Sequence, residues 1–131
     1  MNERDAVAWV AVAAIGADGE TTDEDVVELQ TALMQLKLYE RSDELIDEAL
    51  TRAVDFANAD PDGTPARAAA AIPVARRSAA FILAADLVFA ASTGKLGESE
   101  RAVLAGLQKA LGVKEDVGRK VLDVMALKHA V

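Results

Sequence analysis

Cysteine is absent from these 131 residues, which removes disulfides, thiolate nucleophiles and thiolate metal sites together. Aromatic residues amount to 4%, so a core has to be assembled from alanine, valine and leucine, residues that suit closely packed helices. Histidine occurs once, at His129, and no His-x-x-x-His pair, serine nucleophile elbow or glycine-rich phosphate loop is present. No run alternates with period two, so no strand is predicted. The apolar runs Ala6 to Ile15 and Ala79 to Ala91 are far shorter than the roughly 20 residues a bilayer span takes, and the second carries Asp86. Both read as buried core helices. A basic stripe with interleaved aromatics is also missing, which argues against nucleic-acid binding. The charged start Met1-Asn2-Glu3-Arg4-Asp5 runs straight into helical pattern without a secretory signal. The lack of cysteine is neutral to favourable for a reducing compartment.

What is present is 52% hydrophobic, enough for one core in one domain spanning residues 1–131. The net charge of −8 is unevenly spread. Residues 1–62 hold sixteen acids against four Lys/Arg, a net −12, while residues 63–131 hold six against ten, a net +4. An acidic front half favours cations or basic partners and repels nucleic acid and anionic lipid. The milder positive half can pack against it.

Seven helices follow from periodicity and punctuation. The first runs from about Arg4 to Gly16, with Val7, Val10, Ala11, Ala14 and Ile15 at helical spacing and alanine on the remaining sides. Trp9 is read as core volume on it. The second covers about Asp23 to Leu38, with Val26, Leu29, Leu33 and Leu36 as its stripe. Tyr39-Glu40-Arg41 breaks the pattern, and Ser42 caps a third helix through about Asn58. Its inward residues are Leu45, Ala49, Ala53 and Phe56, with Ile46, Leu50 and Val54 beside them. Asp60-Pro61-Asp62-Gly63-Thr64-Pro65 is the clearest interruption, with Thr64 as cap and Pro65 at the first position of a short fourth helix to about Ala71. The fifth, Pro73 to about Ser92, carries Phe81, Ile82, Leu83, Leu87, Val88 and Phe89, and Gly94 ends it. The sixth opens at Lys95 or Gly97, uses Val103, Leu104, Leu107 and Leu111, and stops at Gly112 as a C′ residue. The seventh begins near Lys114 or Glu115 and uses Val117, Val121, Val124 and Met125. Lys128 and His129 lie in its last turn, where cations suit the negative end of the helix. The fold class is an all-α bundle of about seven helices.

The stretch Asp18-Gly19-Glu20-Thr21-Thr22-Asp23-Glu24-Asp25 organises the chain. Asp-Gly gives a reversal that accepts positive φ. Thr21 or Thr22 then caps the second helix, with Glu24 or Asp25 three residues on completing a capping box. Acids in that first turn also favour the positive helix end. The same layout returns at Thr93-Gly94-Lys95-Leu96-Gly97-Glu98-Ser99-Glu100, 75 positions later.

With both turns placed, the chain resembles the TerB-like family, the tellurite-resistance TerB group of small all-helical proteins. That family's signature is a helix, then Ala-Asp-Gly, an aliphatic, Ser or Thr, and a Glu in the next helix, often twice. The first copy keeps Ala17, Asp18, Gly19 and Thr22, with Thr21 for the aliphatic and Asp25 for the Glu. The second keeps Asp86, Gly94, Leu96 and Glu100; Thr93 stands in place of the Asp and Gly97 in place of the capping Ser. The tail, Leu104 to Gly112 and Val121 to Lys128, also resembles the family's closing helices. The resemblance implies a cytoplasmic, non-enzymatic protein linked to stress and tellurite resistance. It further implies divalent metal held by acidic residues and protein partners, membrane-associated ones among them.

By family position the candidate metal ligands are Asp18, Asp25, Asp86 and Glu100, which would suit a hard cation such as Ca²⁺, Mg²⁺ or Mn²⁺, with Zn²⁺ also considered. Asp86 lies midway along an apolar helix, where a charge is costly unless paired or coordinated. It is either a metal ligand or a residue that caps or bonds a neighbouring helix end or pairs with an arginine. An EF-hand is excluded: counting from Asp18, positions six and twelve are Asp23 and Leu29, and from Asp60 they are Pro65 and Ala71. Asp86 with Glu100 could in principle do acid–base work, but nothing else builds a site around them, so no enzyme is expected. Two readings stay open: a metal-responsive TerB-like module, and a helical interaction module with no functional metal site.

Overall fold

The computed structural model describes residues 1–92 and 95–131; Thr93 and Gly94, which the sequence reading places at the end of the fifth helix, lie outside the described residues. Seven α-helices follow one another: α1 Glu3–Ile15, α2 Asp23–Met34, α3 Asp43–Ala59, α4 Thr64–Ala71, α5 Arg77–Ala91, α6 Glu98–Ala110 and α7 Glu115–Lys128. Short 3₁₀ turns stand at Lys37–Tyr39 and Val74–Arg76, and no strand occurs among the described residues. The chain is an all-α bundle, as its periodicity requires. None of its described helices is long and apolar enough to cross a membrane.

Helix α1 is the central element, packed against α2, α3, α4, α5 and α6. Its alanines allow this, because a small side chain lets a neighbouring helix axis come close. Ala6, Ala8, Val10 and Ala11 are fully buried on different sides of it. Helix α5 has the second such position, against α1, α2, α6 and α7. Both are apolar nearly all round in sequence, the pattern of a largely buried helix, though Ile82 of α5 reaches solvent.

Helix ends follow the punctuation closely. Asn2 caps α1 reciprocally with Asp5, and Asp5 Oδ1 also accepts from Arg52 Nε at 2.9 Å. Ser42 Oγ accepts from the Leu45 amide. Gly112, at φ 68°, ends α6 in a Schellman motif: its own amide reaches the Lys109 carbonyl and the Val113 amide reaches that of Gln108.

Several expectations are corrected. Helix α2 stops at Met34 rather than Leu38. Leu36 turns extended, and two tertiary bonds hold the following segment to α1: Arg4 Nε donates to the Leu38 carbonyl at 2.7 Å and Tyr39 Oη to the Arg4 carbonyl at 2.6 Å. Helix α5 starts at Arg77, not Pro73. Ile72 is extended, as a residue before proline prefers, and its carbonyl accepts from Arg77 Nε. Thr64 is not the cap of α4; Gly63 is, and the buried Thr64 hydroxyl donates back to the carbonyls of Asp60 and Phe56 at the end of α3. Val26, Val54, Ile82 and Val124 are exposed rather than inward, because their helices bury a narrower face than an unbroken apolar count suggests. Trp9 is half-buried against the core, and the largest fully buried side chain is Tyr39.

Candidate functional site

Each of the four candidate acids has a definite local role. At the first turn Gly19 takes φ 85°. Asp18 Oδ1 accepts the Glu20 amide at 2.9 Å, closing an exposed Asx turn. Thr22 then caps α2: its Oγ1 accepts the Asp25 amide at 3.1 Å, while Asp25 Oδ2 accepts the Thr22 amide at 3.0 Å. This is the full reciprocal box, and it buries Asp25. At the second turn glycine has no side chain to give, so only half the box survives. Glu100 Oε1 accepts the Gly97 amide at 2.8 Å and is likewise buried. The two copies therefore share the carboxylate that reaches back to the start of its own helix.

Asp86 joins α5 to the end of α7. Lys128 Nζ meets both its oxygens, at 2.9 and 3.0 Å, and His129 Nε2 lies 2.7 Å from Oδ1. Phe89, one turn along α5, stacks on the His129 ring at a centroid distance of 6.2 Å. The side chain of Asp86 is 37% exposed, so its charge is less costly than a place inside an apolar run suggested. Burial pushes its carboxyl up, but the hydrogen bonds from Lys128 and His129, with the charge they carry, bring it below the ordinary carboxylate value.

That shift has a sign. A carboxylate held lower in the folded chain than in the unfolded one stabilises the fold above its unfolded pKa, and the contribution disappears as pH falls through the folded one. Asp86→Asn should therefore lower stability at pH 7 by up to about 1 kcal/mol, the range of a partly exposed ion pair, and by less at an acid pH below the ordinary carboxylate value. Urea unfolding of both proteins at the two pH values checks this; an equal deficit at both would mean the charge is irrelevant.

The structure gives these four acids no common partner. Among the described residues, no group of three or more His, Asp or Glu side chains is placed to hold a metal ion. Each of the four already has a local partner. Asp25 and Glu100 are spent on backbone amides, Asp18 on its own turn, and Asp86 already faces a lysine and a histidine. Acid–base use of Asp86 with Glu100 gains no support either, since those two carboxylates bond to different elements.

The sequence reading missed a groove of about 540 Å³. Val7 of α1, Leu36 and Leu38 of the tethered segment, and Ala80 and Leu83 of α5 line it. Its charged lining is Lys37 and the Glu3–Arg76 pair. Arg76 grips Glu3 with two bonds, at 2.6 and 2.8 Å, and the Arg76 hydrogen bond holds the Glu3 carboxyl below its ordinary value. Lys37 has no ion pair among the described residues. The signal available in the sequence was the Leu36-Lys37-Leu38 run, which reads as helix until its tertiary tethers are known. No protein-family model, curated protein or solved structure matches this chain.

Proposed function

We propose that this chain is a non-catalytic, TerB-like helical interaction module, and that its working surface is the apolar groove between α1, the Leu36–Leu38 segment and α5. The observation that carries the reading is an apolar lining left open beside Lys37, which has no ion pair among the described residues. Apolar lining with few, placed polar groups is the usual make-up of a recognition groove. The partner that fits is an amphipathic protein segment with apolar side chains at helical spacing and an acidic residue opposite Lys37. The cytoplasmic, stress-related and tellurite-associated setting belongs to the same proposal, and so does a membrane-associated partner.

A displayed library of helical peptides, selected on the full chain, tests it. The expected winners carry apolar residues at i, i+3 or i+4 with a nearby Asp or Glu, bind Leu83→Glu at least tenfold more weakly, and bind Val124→Glu unchanged. No enrichment, or winners indifferent to Leu83→Glu, would sink the groove as the working surface.

This reading needs no divalent cation. Unfolding followed by Trp9 fluorescence should be unmoved by chelator or by added Ca²⁺, Mg²⁺, Mn²⁺ or Zn²⁺. A site filled at 100 times its dissociation constant would add about 2.7 kcal/mol. A shift of that size, lost in Asp25→Asn and Glu100→Gln, would restore the metal-responsive reading.

A further inference from the structure

The positive half of the chain carries cations that the ion-pair network of the described residues does not use. Arg4, Arg52, Arg67, Arg76 and Lys128 each pair with a carboxylate. Lys95, Arg101 and Arg119 pair with none among the described residues, yet all three line one cleft of about 570 Å³. They come from three places: the segment before α6, the first turn of α6, and α7. Their gathering is a product of the tertiary fold. The apolar part of the lining includes Phe89 of α5, Leu96 and Leu122. Asp123 is the one carboxylate that also lines it, which leaves the cleft a net charge of +2.

We propose that this cleft binds an anionic amphiphile, a phosphate or carboxylate head on an alkyl chain. The head sits among Lys95, Arg101 and Arg119, and the chain lies along Leu96 and Leu122. Two observations specify that class together. Three cations facing a single carboxylate leave a net positive charge, which an anion in the cleft would neutralise. Guanidinium groups add forked hydrogen bonds to such oxygens. The apolar lining gives nothing to a bare ion but covers a hydrocarbon chain, and the volume is that of a small-molecule site. The cleft shares no lining residue with the groove of the proposed function, so either can fail without the other.

The test uses the full chain and decyl phosphate below its micellar concentration, followed by calorimetry and by thermal unfolding. Decyl phosphate is expected to bind and to raise the unfolding temperature, less so as salt is added. Arg101→Gln with Arg119→Gln should weaken binding about tenfold or more. Both side chains are exposed and without an ion pair among the described residues, and glutamine suits helices, so the double variant should unfold where the parent does. Leu83→Glu should bind decyl phosphate normally. Decanol binding equally well would overturn the role of charge, and inorganic phosphate binding equally well would overturn the role of the chain. Undiminished binding by the double variant overturns the site. Co-sedimentation with phosphatidic acid vesicles, but not phosphatidylcholine vesicles, separates a lipid headgroup from a free amphiphile as the source. Binding in neither arm overturns the proposal.

Discussion

Phe81→Ala should lower stability by about 3–5 kcal/mol, the usual cost of emptying a buried aromatic position. In a domain of this size that is a fall of roughly 10–20 °C in unfolding temperature. Phe81 is fully buried on α5, the helix that touches α1, α2, α6 and α7. The bundle has few ways to refill the space. Alanine is the commonest residue of the buried core, and three phenylalanines, one tyrosine and one tryptophan are all the aromatics in the chain. A short side chain on a packed helix cannot reach into a neighbour's cavity, so the void stays. Ile82, the next residue, is 42% exposed, and Ile82→Ala should cost about 1 kcal/mol or less. Thermal unfolding of the two variants by circular dichroism makes the comparison. Equal costs would mean that α5 is not the second axis of the core.

Tyr39→Ala should be as damaging, about 3–5 kcal/mol, and for a second reason as well. The ring is fully buried, and its hydroxyl donates to the Arg4 carbonyl while Arg4 Nε donates to the Leu38 carbonyl. These bonds fasten the Leu36–Leu38 segment to the first turn of α1. Losing the ring should loosen one wall of the apolar groove, so peptide capture should weaken along with stability. Tyr39→Phe keeps the volume and loses only the hydroxyl, for about 0.5–1.5 kcal/mol.

The same residue has a spectroscopic signature, because it is the sole tyrosine. Burial, then the nearby Asp5 carboxylate, push its phenol well above the ordinary value of 10.0. A raised folded pKa stabilises the fold fully below the unfolded pKa and loses that contribution as pH climbs past it. Absorbance titration should therefore show no phenolate near pH 10 while helicity persists, and ionisation should accompany unfolding at higher pH. Phenolate forming near pH 10 with the helices intact would place the hydroxyl in water and undo the account of the tether.

Local chemistry was legible because it is written within four residues. Thr22 with Asp25, Gly19 at positive φ, Ser42, and Gly112 at the end of α6 all act where their neighbours in sequence place them. Asp86 was harder. An acid inside Ala79–Ala91 announces a partner, but the partner lies 42 and 43 positions away, at Lys128 and His129. Tyr39 was hardest, since Tyr39-Glu40-Arg41 looks like a break. Glu40 and Arg41 do turn the chain, at φ 53° and 54°, while the ring between helix and turn fills the core.

Composition and periodicity by themselves decided that this is a wholly helical body with a small-residue core, and where nearly every helix begins and ends. Those properties depend on spacing within a turn or two, so a linear reading contains them. Which partner Asp86 would meet, which leucines would be left uncovered, and which cations would line one cleft were decided by packing. Each depends on the angle at which one helix lies across another, and that angle comes from side chains far apart in the chain.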